Sequence, residues 1–353
     1  MTTVRFGWLA LAVLLAGCGA AQPVASTAPA SAGAASLDSL YQQAKAEGQL
    51  SFYSSSPDAV ALPLVQAFEK QYPGIKVDRV QKAGGDLTND VRVQQAAHHV
   101  EVDVAHASDV DVANVVNDHM PTTIDWVKLG VPADRVLDNQ FVHYQESPTM
   151  WVYNTKQVQP AGAPKSWDDL LDPKWTGKEA VDGRASPMGV FLSAPELGGP
   201  SKGLEYAKKV PAIKPLFQAS GNTAESAVTS GEAWVGTVQL SSMLAAQKKG
   251  APLAIAPVSP VLAISTQAYV PQGAPHMAAA QLFVVWLASP GGQAALEAVG
   301  YGSEAGCGGQ GEAARALCSA GVQVTRLAQM SQYMQLADFL KQVQQAYGTY
   351  VGK

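Results

Sequence analysis

Apolar and polar positions alternate along most of this chain with two periods, one typical of strands and one typical of helices. Leu37, Leu40, Tyr41 and Ala44 recur at helical spacing and predict a helix that ends at Gly48. Further helices are expected between the Ser54–Pro57 turn and Tyr72, and from Leu87 to Ala97. Short apolar runs between these helices predict strands, and the alternation indicates a mainly parallel sheet covered by helices: Gln49–Tyr53, Ile75–Val80 and Val102–Ala105.

The second part of the chain continues the α/β pattern. Two extended runs stand out, Met150–Asn154 and Val261–Val270, and both are long enough to be strands that cross between two parts of a protein. Ser166 followed by Asp169 has the spacing of a capping box and predicts a helix start. A long final helix is predicted from apolar residues on one face: Tyr333, Leu336, Ala337, Leu340, Val343 and Tyr347.

The N-terminus carries a secretion pattern. Arg5 precedes a short apolar run, Phe6–Leu15, which is too short for a membrane span of about 20 residues. The following Ala16-Gly17-Cys18 resembles a bacterial lipoprotein signal, in which the cysteine is lipidated and becomes the new N-terminus. This predicts a signal peptide over 1–17, a lipid anchor on Cys18 and a flexible tether over 18–36. The alternative is ordinary secretion with an unmodified Cys18.

Composition narrows the class of protein. Hydrophobic residues make up 47% of the chain and charged residues 15%, as in soluble globular proteins. The net charge is −5 and no basic cluster exceeds two residues, so a nucleic-acid partner is not expected. Over 300 residues follow the tether, which is enough for two lobes.

The cysteine count suggests one disulfide. If Cys18 is lipidated, Cys307 and Cys318 remain as an even pair in an oxidising compartment. They flank a glycine-rich segment, and a bond between them would contribute about 3 kcal/mol by restricting the unfolded chain. The alternative is two free thiols.

A set of segments in order along the chain resembles the solute-binding proteins of ABC importers, in the group of the ferric-ion, thiamine and phosphonate binders. The most distinctive segment is Pro164–Lys178, with the sequence PKSWDDLLDPKWTGK. The other segments are individually weak but occur in the same order: Leu40–Gly48, Phe52–Ser55, Phe68–Val77, Asp103-Val104, Tyr153–Lys156, Ser230–Ala233 and Trp286–Pro290.

The resemblance implies the fold of periplasmic binding proteins of type II, with two α/β lobes, a ligand cleft and crossing hinge strands. The extended runs place the lobe boundaries near residues 149/150 and 264/265. Lobe one would then comprise 37–149 plus 265–353, and lobe two would comprise 150–264. The resemblance also implies a small-molecule solute, an ABC permease as partner, no cofactor and a monomeric protein outside the cytoplasm.

Candidate ligand-binding residues follow from the position of such a cleft, beyond the carboxyl ends of strands where helices begin. Helix starts offer free N–H groups to an anion, although each turn can also be a plain N-cap. Arg184 adds a guanidinium that can hold a carboxylate or phosphate. The predicted set is Ser54, Ser55, Ser56, Gly85, Asp86, Ser108, Trp151, Arg184, Asn222, Thr223 and Gln239.

The sequence departs from the ferric-ion binders. Those proteins hold the metal with adjacent tyrosines, whereas this chain has Gly236–Ser241 at that place and no Tyr-Tyr pair. A metal set of His98, His99, Glu101, Asp103 and His106 is conceivable, but these histidines are better interpreted as surface residues. No metal site is therefore predicted.

The prediction is a tethered, non-enzymatic solute-binding protein that takes a small organic anion or zwitterion. Four alternatives stay open: a ferric-ion binder, a polyamine binder, a sensor that presents its solute to a receptor, and an extracytoplasmic hydrolase with a Ser–His–Asp set. A polyamine would be held by Trp151 or Trp234, with Asp86 or Asp109 as counter-charge.

Overall fold

A computed structural model describes residues 32–82, 84–183, 189, 192–301 and 311–347. Within these residues the helices are α1 (Ala32–Glu47), α2 (Asp58–Gln71), α3 (Gly84–Ala96), α4 (Val112–Asn117), α5 (Gly199–Ala207), α6 (Gly221–Ser230), α7 (Leu240–Lys248), α8 (Met277–Ala288), α9 (Pro290–Ala298), α10 (Glu312–Ser319) and α11 (Met330–Tyr347). The strands are β1 (Gln49–Ser54), β2 (Lys76–Gln81), β3 (Val104–Ser108), β4 (Val136–Leu137), β5 (Phe141–Asn154), β6 (Glu179–Asp182), β7 (Leu216–Gln218), β8 (Val235–Gln239), β9 (Leu253–Ile255), β10 (Val261–Tyr269) and β11 (Val324–Thr325).

The strands form one mixed sheet in the order β2-β1-β3-β10-β5-β8-β6-β7. The first half, β1 to β3, is parallel, as the alternation of strands and helices predicts. The second half, β6 to β8, is parallel as well. β10 and β5 lie between the two halves: β10 pairs antiparallel with β3, β5 pairs antiparallel with β8, and the two pair antiparallel with each other, so the long extended runs are the strands that cross.

The first half has its own apolar core around α8. Nearly every residue of this helix is buried, which explains why its sequence is apolar except for Gln281. The Phe283 ring packs edge-on against Phe52 at 5.0 Å and against Phe68 at 4.9 Å between centroids. Contacts of this kind join strand β1 and helix α2 to a helix that follows them much later in the chain.

The second half is centred on three tryptophans and a tyrosine. Trp151 on β5 packs edge-on against Trp167 at 6.0 Å, and Trp167 packs against Tyr206 at 5.6 Å. The indole of Trp175 donates to the carbonyl of Asp169 at 2.9 Å. The distinctive Pro164–Lys178 segment is therefore part of the core that supports β5.

Some predicted boundaries and faces differ from the structure. Helix α1 begins at Ala32, inside the predicted tether, and α3 begins at Gly84 instead of Leu87. Ser166 does accept a hydrogen bond from the Asp169 N–H, but the element that follows is only a short 3₁₀ turn, Asp168–Leu171, and its N-cap residue is Trp167.

On α11 the buried face includes Phe339 and excludes the exposed Ala337. Helix α11 also packs against α5, and Tyr347 lies 5.4 Å from Phe217 between ring centroids. Helix α11 thus contacts α5 of residues 150–264 as well as α4 of residues 37–149, and the predicted assignment of 265–353 to lobe one stays a prediction. The division into moving lobes at 149/150 and 264/265 stays a prediction.

Candidate functional site

The carboxyl ends of the strands in the two halves face each other across the crossing strands. Ser108 at the end of β3 is opposite Thr266, which pairs with Gln145 of β5. Gln239 at the end of β8 is opposite Thr149 of the same β5 strand. The two ends are therefore four residue steps apart along β5, about 13 Å in the strand direction at the usual rise of a strand. This is the place where open α/β sheets bind ligands.

We call the carboxyl ends of β1 and β3 with the turns that follow them the first wall of the cleft, and those of β6 and β8 the second wall. On the first wall, the buried His106 holds the serine turn Ser54–Ser56 that follows β1. The Ser55 N–H donates to His106 Nε2 at 2.9 Å, and Ser55 Oγ lies 2.7 Å from the same nitrogen. His106 Nδ1 lies 3.3 Å from the Tyr144 hydroxyl and 3.4 Å from Ser54 Oγ. The Ser56 N–H donates to Ser54 Oγ at 3.1 Å. The N–H groups that the sequence offered to an anion at Ser55 and Ser56 are thus used within the protein.

His106 is neutral at ordinary pH. Its burial, together with the nearby Arg79 guanidinium, lowers the pKa of His106 to about 4. Arg79 itself forms an ion pair with Asp58 and donates to the Ser56 carbonyl. The prediction that His106 is a surface histidine is wrong, because β3 is buried along Val104–Ala107, whereas His98 and His99 are exposed as predicted.

The remaining predicted residues of the first wall lie around the start of α3. Ser108 Oγ donates to the Asp111 carboxylate. A side chain at Gly84 would bring its Cβ to 3.1 Å from Asp111 Oδ2, so this carboxylate lies against the helix N-terminus. Gly85 and Asp86 are exposed in the first turn of α3. The Asp111 carboxylate thus occupies the N-terminus of α3, where the sequence predicted that a bound anion would lie.

Asp109 is a structural residue in this arrangement. Its Oδ2 accepts from the Ser265 N–H at 2.8 Å and its Oδ1 accepts from Gln267 Nε2 at 3.2 Å. Burial raises the pKa of Asp109 to about 7. The carboxyl group joins the end of β3 to the crossing strand β10 and does not offer the exposed counter-charge considered for a polyamine.

The second wall forms a cavity of about 300 Å³ that opens beside the crossing strands. Two of the predicted residues, Asn222 and Gln239, line it. Its lining combines the first turns of α6 and α7, the ends of β6 and β8, and the crossing strands: Thr149, Asp182, Ser220, Gly221, Asn222, Glu225, Thr237, Gln239, Ser242 and Ile264. Thr223, also predicted, is used elsewhere, because it forms a capping box with Ser220 at the start of α6.

The charged residues among the described lining of this cavity are acidic. Asp182 and Glu225 line it, and no lysine or arginine is among the described lining residues. Loss of hydration on burial raises the pKa of Glu225, while Lys249 acts in the opposite direction. Because acidic groups attract cations, this wall suits a solute with a positively charged group better than a bare anion.

Trp151 does not line the cavity. Its side chain is 1% exposed and belongs to the core of the second half, so the structure does not support its prediction as a ligand residue. The second aromatic candidate, Trp234, already has a cation above its ring, since Lys178 Nζ lies 3.2 Å from the ring centroid. Neither residue provides the open aromatic face that a polyamine would need.

Three predicted residues lie outside the described part of the chain: Cys18, Arg184 and Cys307. Cys318 is disulfide-bonded, and its pairing with Cys307 stays a prediction. Asp182 and Glu225 were not predicted from the sequence. The glutamate lies one turn after the predicted Asn222, and a negative charge in that turn was the available signal.

Neither a metal cluster nor a membrane span appears in the described residues. Within them, no three His, Cys, Asp or Glu side chains are grouped as metal ligands. No tyrosine is among the described residues that line the second-wall cavity. No helix in the described ranges is long and apolar enough to cross a bilayer.

Residues 53–294, more than half of the chain, match the family of bacterial extracellular solute-binding proteins. The chain belongs to this family. A curated relative, the Fe(3+)-binding periplasmic protein of Serratia marcescens, is 28% identical over 211 residues. That match covers 56% of this chain and 58% of the relative, so the chain spans little more than half of the relative's length.

Solved structures agree on the fold. The IdiA (FutA) protein of Trichodesmium, in complex with iron and citrate, superimposes with a TM-score of 0.69 at 19% identity, covering 85% of this chain and 99% of that one. The Atu4243 GABA receptor superimposes with a TM-score of 0.67 at 16% identity, covering 86% and 99%. The predicted fold, that of type II periplasmic binding proteins, is confirmed.

Proposed function

We propose that this protein is the solute-binding component of an ABC importer and that it captures a small organic zwitterion bearing an ammonium and a carboxylate group. The observation that supports this solute class is the second-wall cavity, which combines two carboxylates with two helix N-termini. Membership in the solute-binding family supports the binding role over the hydrolase alternative.

Each pole of a zwitterion has a matching group in the cavity. The ammonium would lie against Asp182 and Glu225, which are charged acceptors. The carboxylate would lie against the first turns of α6 and α7, where N–H groups and the helix dipole favour negative charge. Thr237 and Gln239 add neutral polar groups that would fix the orientation. A bare anion would match the helix N-termini but would bring no cationic group to the acidic residues Asp182 and Glu225.

The GABA receptor among the structural neighbours supports this choice, because GABA is a zwitterion of the proposed kind. The name of the Serratia marcescens relative favours a second candidate, ferric ion. The composition of the cavity favours the zwitterion over that candidate, since hydroxyl and amide groups outnumber the carboxylates and no tyrosinate is available there.

Transport would proceed by closure of the two walls. β5 and β10 connect the two halves and would serve as the hinge. A solute bound between the two walls would shift the population towards a closed form, and this form would dock on the permease. The lipid on Cys18 would keep the protein at the outer face of a bacterial membrane. Replacement of Cys18 by alanine should release the protein into the soluble fraction, and an unmodified N-terminus in membrane-purified protein would contradict the anchor.

The decisive experiment identifies the solute directly. Native mass spectrometry of the purified protein would give the mass of a co-purified solute, and calorimetric titration would follow with amino acids, GABA, matched carboxylates, polyamines and ferric citrate. Tight binding of an amino acid or GABA supports the proposal. Tight binding of ferric ion with a tyrosinate-to-metal absorption band, or binding of carboxylates alone, would show that the solute class is wrong.

A further inference from the structure

His106 determines the hydrogen-bonding character of Ser55 on the first wall. A backbone N–H can only donate, and the Ser55 N–H donates to His106 Nε2 at 2.9 Å. The Nε2 atom is therefore an acceptor without a proton. In a neutral imidazole the proton must then be on Nδ1, which lies near the Tyr144 hydroxyl and Ser54 Oγ.

The hydroxyl of Ser55 has a single proton to give. Its Oγ lies 2.7 Å from the same unprotonated Nε2, so the hydroxyl donates to the imidazole. The two lone pairs of this oxygen stay available, and Ser55 is exposed. Because the Ser56 N–H is bonded to Ser54 Oγ, the neighbouring backbone does not restore a donor at this position.

We infer that His106 is a positioning residue that makes Ser55 an acceptor-only group, so that the first wall selects a solute group carrying N–H donors. The inference rests on the proposed function, and it extends the ammonium preference from the second wall to the first. The serine turn then resembles an anion site in sequence while it has the opposite preference in the folded protein.

The local charges agree with this assignment. The positively charged Arg79 lies behind the turn, but it is paired with Asp58 and with the Ser56 carbonyl. Its charge also opposes protonation of His106. The imidazole therefore keeps the neutral form in which Nε2 accepts.

The first test measures which ring nitrogen of His106 carries the proton. Long-range ¹H–¹⁵N NMR of protein labelled at histidine, with His106→Phe used for assignment, should show His106 protonated at Nδ1 and unprotonated at Nε2 at pH 7. A proton on Nε2 would overturn the inference whatever the solute is. This measurement needs no ligand, so it separates failure of the inference from failure of the proposed function.

The second test uses three matched probes: GABA, its N-trimethyl analogue, and butyrate. The trimethyl analogue keeps the positive charge but has no N–H donor. We expect GABA to bind most tightly, and Ser55→Ala to weaken GABA about tenfold, the loss of one charged hydrogen bond, while leaving the trimethyl analogue unchanged. Ser55→Thr, which keeps the hydroxyl, should restore GABA binding.

The outcomes separate cleanly. Equal loss for GABA and its trimethyl analogue would mean that Ser55 acts through shape or charge, which overturns the inference. Tighter binding of butyrate that depends on Ser55 would also overturn it, because a carboxylate requires a donor. If none of the three probes binds, while other amino acids do, the same comparison is made with the tightest amino acid and its N-trimethyl form. If no amine-bearing probe binds, the proposed solute class is wrong, and the NMR result alone decides the polarity of Ser55.

Discussion

Buried carboxyl groups in the two halves of the molecule have very different surroundings. In the first half, Asp103 accepts hydrogen bonds from the backbone N–H groups of Ser51 at 2.8 Å and His276 at 2.7 Å. In the second half, Glu179 at the start of β6 is equally buried, but its Oε2 has no hydrogen-bond partner among the described residues. Burial without compensation raises the pKa of Glu179 to about 8.

The walls of the cleft repeat this contrast. The serine turn and His106 of the first wall are bonded to one another, whereas two carboxyl groups of the second wall, Asp182 and Glu225, line a cavity. Satisfied groups give a rigid surface of fixed polarity, and a charged cavity gives affinity. Under the proposed function, the second wall would provide most of the binding energy and the first wall would provide selectivity.

The largest expected effect of a substitution on stability comes from removing the Arg79 side chain, which contacts Asp58 and the Ser56 carbonyl beside the first wall. Arg79→Met should lower the free energy of unfolding by about 2–3 kcal/mol, because the Ser56 carbonyl and one side of the Asp58 pair lose a buried guanidinium. Chemical denaturation measures this change. Lys76→Met is the matched control, since its pair with Glu69 is exposed on the lysine side and should contribute less than about 0.5 kcal/mol. Equal losses of unfolding free energy in the two variants would show that the buried Arg79 pair contributes no more than an exposed ion pair.

The pH dependence of stability tests the buried carboxyl of the second half. The folded-state pKa of Glu179 lies above its usual value of 4.5, so the folded protein binds this proton more tightly than the unfolded chain does. Its contribution to stability is complete below pH 4.5 and is lost as the pH rises to about 8, by up to about 1.4 kcal/mol per pH unit. Glu179→Gln should flatten this slope in urea titrations at pH 5 and pH 8.5.

Glu146 provides a control of opposite sign. Burial alone would raise the pKa of Glu146, but the hydrogen bond and charge of His143 and the charge of Arg326 outweigh it, so the pKa is lowered. Its stabilising contribution is present above the unfolded pKa and is lost as the pH falls through the folded one. Glu146→Gln should therefore destabilise the protein at pH 7, where Glu179→Gln stabilises it. Changes of the same sign in the two variants would contradict this assignment.

Removal of one cavity charge should separate binding from stability. Glu225→Gln should weaken GABA, or the tightest amino acid, about tenfold, or about 1.4 kcal/mol, in calorimetric titration. Because burial disfavours the ionised form of Glu225, the same change should not lower the denaturation midpoint at pH 7. Glu232→Gln, on an exposed glutamate just after α6, should change neither quantity. Unchanged affinity in Glu225→Gln would place the ammonium elsewhere.

The smallest effect is expected at Trp151. Trp151→Phe keeps an aromatic ring in the core and removes an indole N–H that has no partner among the described residues. Solute affinity should stay within about twofold, since the side chain does not reach the cavity. A loss of solute affinity of tenfold or more would show that Trp151 contributes to binding and does not act only in the core.

The fold was largely predictable because the crossing strands and the α/β alternation depend on local periodicity. Boundaries that depend on weak signals were missed, such as the start of α3 at Gly84. The packing of α11 on α5 was missed as well, since contacts between distant helices leave no local pattern.

The site was harder to predict than the fold. Asn222 and Gln239 were predicted because they follow strands or begin helices; both line the cavity, and their role as ligand residues stays a prediction. Trp151 is on the same face of β5 as Thr149, which lines the cavity, but Trp167 packs against its ring and holds it in the core, a tertiary contact that the sequence alone does not show. The role of His106 depends on a contact with Ser55 that only the folded chain brings about.

The position of α8 in the chain has a consequence for synthesis. Phe52 and Phe68 pack on Phe283, which a ribosome adding about 5–20 residues per second reaches roughly 10–40 s later. Strands β5 to β9 of the second half are complete by Ile255, before α8 begins at Met277. The strands of the second half are therefore synthesised before the helix that covers Phe52 and Phe68.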